Sequence, residues 1–252
     1  MFRFKELHRI NRHLSDKVHH SGTEKYPYVR LDPNHLFFSH FPTAYQKLLY
    51  PFLKKNIRAV TTPNSMNVLS DIVNRYYFPL GDCMINEGDV VMEVGAYLGY
   101  WAVRASRTAK EVIAVEPLSD NYLILKLNTS QKRNIRCLPV AVGRREGFVK
   151  IYTNRRQANS IYPSKRRSEK TKSVMLTTID TLIQVTGIKR LDVLRIQVNG
   201  AEADVLRGFT TIKKYKPKLV IAVRYNQDVV KMVQALGYTY IIKDYNLIGM
   251  PK

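Results

Sequence analysis

The chain has 252 residues, 45% hydrophobic and 24% charged, with 12 Gly and 11 Pro. This excludes a disordered, collagenous or low-complexity protein, and the length suits one large domain or one domain with an appendage. Forty-one Lys and Arg against 20 Asp and Glu leave a net charge of +21, a field that draws polyanions such as nucleic acid, anionic lipid headgroups or phosphorylated glycans but says nothing of fold.

Met1 to Ile10 lacks the apolar stretch of a secretory signal, and nowhere do 18 apolar residues run together, so a cytoplasmic location is expected. Residues 1–86 read as a mainly helical appendage. Ala44 to Ile57 and Asn64 to Phe78 carry apolar residues at mixed spacings of three and four, with Pro51 kinking the first, and no alternating strand pattern is evident. The six histidines lie between His8 and His40 without ligand spacing, and Cys83 and Cys137 are too few for a zinc knuckle or disulfide framework. No metal site is expected.

From Glu87 the rhythm changes. Strands are predicted at Asp89 to Val94, Glu111 to Glu116, Asn134 to Pro139, Leu191 to Val198 and Lys216 to Val223. Helices are predicted at Tyr97 to Ser106, Ser119 to Ser130 and Gln227 to Leu236. Strands separated by helices imply right-handed crossovers and a parallel sheet covered on both faces. Tyr238 to Lys243 and Asn246 to Met250 then read as a terminal hairpin, hence an antiparallel addition. Between the third and fourth strands lies an insertion that turns at Glu146-Gly147 and alternates from Phe148 to Tyr152. Over residues 144–172 it carries ten Lys and Arg against two Glu, a net +8.

The sharpest local signal is Glu93-Val94-Gly95-Ala96-Tyr97-Leu98-Gly99, a strand end running into a helix. A second acid, Glu116, ends the next strand and precedes Pro117. Both would line the crevice at the carboxyl edge of an open α/β sheet, where ligands bind. A dinucleotide site asks for GxGxxG, whereas Tyr97 stands at the second glycine and an acid at 93 would repel a pyrophosphate. S-adenosylmethionine suits the residues better: Glu93 for its ammonium, Gly95 and Gly99 for close approach of the backbone, and Glu116 for the ribose hydroxyls.

Four blocks resemble the FkbM family of S-adenosylmethionine-dependent methyltransferases: VVMEVGAYLGYWAVRAS (Val90 to Ser106), VIAVEPLSDNYLILKLN (Val112 to Asn128), VMLTTIDTLI (Val174 to Ile183) and LDVLRIQVNGAEADVLRGF (Leu191 to Phe209). The resemblance implies a Rossmann-like class I methyltransferase domain over residues 87–252. It would have a seven-stranded, mostly parallel sheet of order 3-2-1-4-5-7-6, with strand 7 antiparallel. It places cofactor contacts at Glu93, Gly95, Ala96, Gly99, Glu116 and Asn121, and at Ala141 in the loop after the third strand. The usual fourth block reads Asp-Val-Glu-Gly-Ala-Glu; here Gln197 and Asn199 replace two carboxylates and Glu202 survives. Those three are the catalytic candidates. An amide orients a hydroxyl but takes no proton from it, so positioning is expected to outweigh base catalysis. Arg155, Arg156, Ser160 and Arg166 of the insertion are the acceptor-binding candidates. The expected reaction is methyl transfer to a hydroxyl of a glycan, lipid-linked or small-molecule acceptor. The alternatives are RNA methylation through the basic surface, or a degenerate fold that only binds.

Overall fold

The computed structural model describes the backbone of residues 28–32 and 35–38 and, in full, residues 84–153, 160–162, 170–223, 226–243 and 245–252. In the N-terminal segment, β1 (Tyr28–Asp32) and β2 (His35–Phe38) pair antiparallel. An all-helical reading of residues 1–86 therefore fails at this point. The predicted helices at 44–57 and 64–78 lie outside the described residues.

The main sheet has seven strands in the order β11-β12-β10-β9-β3-β4-β5. Its members are β3 (Val90–Val94), β4 (Glu111–Val115), β5 (Ile135–Leu138), β9 (Val193–Ile196), β10 (Lys218–Ala222), β11 (Thr239–Lys243) and β12 (Asn246–Met250). Numbered one to seven along the chain and read from β5, they run 3-2-1-4-5-7-6. The five central strands pair in parallel, and β12 is antiparallel to both neighbours. This is the class I methyltransferase arrangement.

Central parallel strands are covered on both faces and are apolar throughout, and every residue of β3 and β9 is buried. Alternate β3 side chains serve opposite faces. Val90, Met92 and Val94 enter a core with α3 (Ile179–Thr186), α4 (Glu202–Arg207) and α6 (Gln227–Ala235). Val91 enters the other core, with α1 (Tyr100–Ala105) and α2 (Ser119–Thr129). Glu93 and Arg195 are paired in register across β3 and β9, one acid and one base in otherwise apolar strands. Thr178 starts α3 by accepting a hydrogen bond from the Thr181 N–H, and Gly187, in the left-handed region at φ +71°, ends it. The short α5 (Ile212–Tyr215) leads into β10.

The insertion is more ordered at its base than its charge suggested. β7 (Gly147–Tyr152) pairs antiparallel with β8 (Thr171–Thr177), and β6 (Ala141–Val142) pairs parallel with β8 in a separate three-stranded sheet. Glu146 fastens this sheet to α3, its Oε1 accepting from the hydroxyls of Thr177 and Thr181 and from the Thr178 N–H.

Candidate active site

The sheet changes direction of winding between β3 and β9, and the loops that leave those strands meet there. Gly95 marks the contact: a Cβ on it would lie 2.1 Å from the Gln197 carbonyl oxygen, and its φ is +86°. Glycine is required by this backbone approach alone, before any ligand is considered. Tyr97 also has a positive φ, +52°, an uncommon state for an aromatic residue. The amides of Gly95 and Ala96 both donate to the Val115 carbonyl, Tyr97 N–H to Glu116 Oε2 (3.0 Å) and Gly99 N–H to the Ala96 carbonyl. With these donors spent on the protein, the loop does not offer the open amide cradle that a pyrophosphate needs.

Glu116 is buried at the end of β4. Its Oε1 accepts from Leu118 N–H and Asn121 Nδ2, both at 3.1 Å. The structure thus joins two of the predicted cofactor residues, Glu116 and Asn121, to the loop after β3. Burial pushes the Glu116 carboxyl up to about 7, against the lowering effect of its three donors. Glu93 is 1% exposed. Its Oε1 takes a 2.5 Å hydrogen bond from Arg195 Nη1, while Oε2 is buried with no hydrogen-bond partner. Burial raises its pKa, and the Arg195 guanidinium works against that rise. Arg195 also donates through Nη2 to Gln197 Oε1 and lies 5.5 Å from the Trp101 ring centroid. Ala141 sits in β6, paired with Leu176.

On the acceptor side, Asn199 (φ +54°) and Gly200 (φ +109°) turn the chain into α4. Glu202 is buried and grips this turn: Oε1 accepts from Val198 N–H and Gly200 N–H, both at 3.2 Å, and Oε2 from Gly200 N–H at 2.9 Å. The surviving carboxylate therefore shapes the loop and the helix start, with its negative charge at the favourable end of the α4 dipole. Ser160 is brought to the same loop. Its hydroxyl donates to the Asn199 carbonyl (2.9 Å) and accepts from Tyr162 N–H (3.1 Å), while Tyr162 OH donates to Asp204 Oδ2 (3.0 Å). Arg155, Arg156 and Arg166 lie outside the described residues.

Arg195 was absent from the residues singled out in the sequence. The signal was nonetheless present, since Val-Leu-Arg-Ile and Val-Val-Met-Glu-Val each hold one charge in a run destined for the sheet interior, and buried charges are paired.

The fold and this crevice define a class I methyltransferase domain. The family model described as the methyltransferase FkbM domain matches residues 93–240, and the chain belongs to that family. A search of curated proteins gives no match. Among solved structures, the chain is similar to a precorrin-6y C5,15-methyltransferase from Geobacter metallireducens (11% identity, 66% of this chain and 72% of that one, TM-score 0.42). It is also similar to a putative methyltransferase from Streptococcus mutans in complex with SAH (11%, 70% and 94%, TM-score 0.44). A third is an rRNA methylase from Streptococcus thermophilus (8%, 72% and 96%, TM-score 0.44). No helix among the described residues is long and apolar enough to cross a membrane.

Proposed function

We propose that the protein transfers a methyl group from S-adenosylmethionine to an oxygen of an anionic glycan, lipid-linked or small-molecule acceptor. The observation that carries this reading is the pair of buried carboxylates, Glu93 and Glu116, at adjacent strand ends around a loop whose amides are already used. The residues fit that donor. Glu93 Oε2 is an unpartnered carboxylate oxygen suited to an ammonium. Glu116 is held by backbone and Asn121, with acceptor capacity left on Oε2 for a ribose hydroxyl. When bound, the donor supplies a methyl on an electron-poor sulfonium. The protein's share is to hold the acceptor in line with it at the Gln197–Glu202 loop, and positioning of this kind is worth several kcal/mol.

Calorimetric titration tests the reading. Glu116→Ala should weaken S-adenosylmethionine binding by about 1.5–3 kcal/mol, the worth of hydrogen bonds to a charged group. Unchanged affinity in that variant, or binding of NAD with no response to S-adenosylmethionine, refutes the site.

The basic insertion supports electrostatic recruitment, with RNA as the second reading because of the net charge of +21. Changing Arg155, Arg156, Lys165, Arg166 and Arg167 together to Ser should leave melting temperature and donor affinity nearly unchanged. Acceptor affinity should drop and lose most of its dependence on salt, which for RNA scales with the phosphates neutralised. Salt-insensitive kinetics in the parent protein would make the insertion a solvated surface only.

A further inference from the structure

Arg195 links the two sides of the crevice. It is 5% exposed, and its guanidinium reaches Glu93 with one nitrogen and Gln197 with another. A guanidinium has five N–H donors and no acceptor. The Gln197 atom facing it must therefore be the amide oxygen, whatever the rotamer choice elsewhere. The end of Gln197 left to meet a ligand is its NH2, which only donates. Gln197 follows β9 directly and touches the Gly95 loop through its backbone, so this donor stands where the two ligands must meet.

The carboxylates around the crevice are committed elsewhere. Glu93 faces Arg195, Glu116 accepts from Tyr97, Leu118 and Asn121, and Glu202 accepts from Val198 and Gly200. A neutral hydroxyl acceptor would need a group to take its proton, and a pure donor at 197 cannot. A donor instead suits an oxygen that arrives already ionised. Phosphate is the weaker match, because the backbone N–H groups of Val198 and Gly200 that could cradle it already hold Glu202.

We propose that the methylated atom is a carboxylate oxygen, received by the Gln197 NH2, and that Arg195 is the positioning residue that fixes this end of the amide toward it. This deepens, and rests on, the reading of the crevice as a methyl-donor site. In the step, a carboxylate oxygen bonds to the methyl carbon as the bond from that carbon to sulfur breaks. The bonding pair goes to sulfur, which becomes a neutral thioether, and the acceptor's negative charge disappears into a methyl ester. No proton leaves, so no base is needed.

The test uses the full chain with methyl-labelled S-adenosylmethionine and an extract of the cells that make it, and asks how the transferred label comes off. A carboxyl methyl ester releases volatile methanol in mild alkali, whereas a methyl ether or N-methyl group does not. We expect alkali-labile label. We also expect Gln197→Glu to lower turnover by about tenfold or more, because it sets a second negative charge against the acceptor. Melting of the unliganded Gln197→Glu protein gives a readout apart from turnover. It should occur at or above the parent temperature, since Arg195 then faces two carboxylates. Arg195→Lys keeps a charge for Glu93 but loses the fork, so it should lower kcat/KM for the acceptor while donor affinity stays as it was. Alkali-stable label overturns the proposal. So does Gln197→Glu turning over faster with a new acid limb in its pH profile, the mark of a restored base. Donor binding without any methyl ester formed also overturns it. Absence of donor binding in acceptor-free calorimetry instead removes the reading beneath it, so the two failures are distinguishable.

Discussion

Arg195→Met should cost the fold about 3–5 kcal/mol, measured by urea denaturation near neutral pH, the usual penalty for removing one partner of a buried pair. The reason is the neighbour left behind. Glu93 already has one oxygen without a partner; losing Arg195 would leave its whole carboxyl to Val91, Trp101 and the rest of the apolar cluster beneath α1. The carboxyl would answer by holding its proton, so part of the loss should be recovered on acidification. The double variant Arg195→Met with Glu93→Gln should regain much of the stability, because the remaining group is neutral. A loss under about 1 kcal/mol in the single variant would mean that the pair behaves as an exposed one, contrary to side chains that are 6% and 2% exposed.

The parts of this fold that were legible in the sequence are those set by periodicity. The five parallel strands, the helices after β3, β4 and β10, and the terminal hairpin are each a local pattern of apolar residues closed by a turn, and each appears within a few residues of its expected span. What was missed depends on partners distant in sequence. β6 and β8 lie about 30 residues apart and are too short or too mixed to stand out alone; they become strands by pairing with each other and with β7. Thr171, Ser173 and Met175 of β8 are exposed while Lys172, Val174 and Leu176 are partly buried, so the alternation is blurred by a lysine on the inner face.

Site residues divide in the same way. Glu116 and Asn121 are five apart, on a strand end and the helix it feeds, and the sequence placed them together correctly. Glu202 was open to two readings there, a catalytic acid or a helix-start acid. Its bonds to the 198–200 amides give it the second job, because a left-handed turn at Asn199 and Gly200 aims those N–H groups at it. The Glu93–Arg195 pair joins residues 102 apart, and only strand register reveals it. Ser160 reaches Asn199 across 39 residues. For that serine a family resemblance suggested the place, and the hydrogen bond supplies the reason.

The affinity for S-adenosylmethionine should rise with pH up to about 7 and then level off, by up to about tenfold per pH unit for each proton released. Glu116 is the main cause. Burial lifts its carboxyl from an unfolded value near 4.5 to about 7, so below that pH much of the unliganded protein carries a proton there. Ribose hydroxyls donating to Glu116 favour the ionised form, and so does an ammonium beside Glu93, whose pKa is also raised by burial. Binding must then expel protons, and titrations in buffers of different ionisation enthalpy count them. The same shift has the opposite sign for stability. A group whose folded pKa is raised contributes stability that is complete below its unfolded pKa and lost as pH rises through the folded one. The Glu116 contribution, up to about 3 kcal/mol, should thus fade between about pH 4.5 and 7. Six histidines titrate in the same range, so the comparison that isolates the carboxyl is Glu116→Gln. That variant should show a melting temperature less dependent on pH than the parent's, and should release fewer protons on binding. Donor binding with no proton released between about pH 5.5 and 7 would show that the carboxyls are already ionised before the donor arrives, and would remove Glu116 from the ribose.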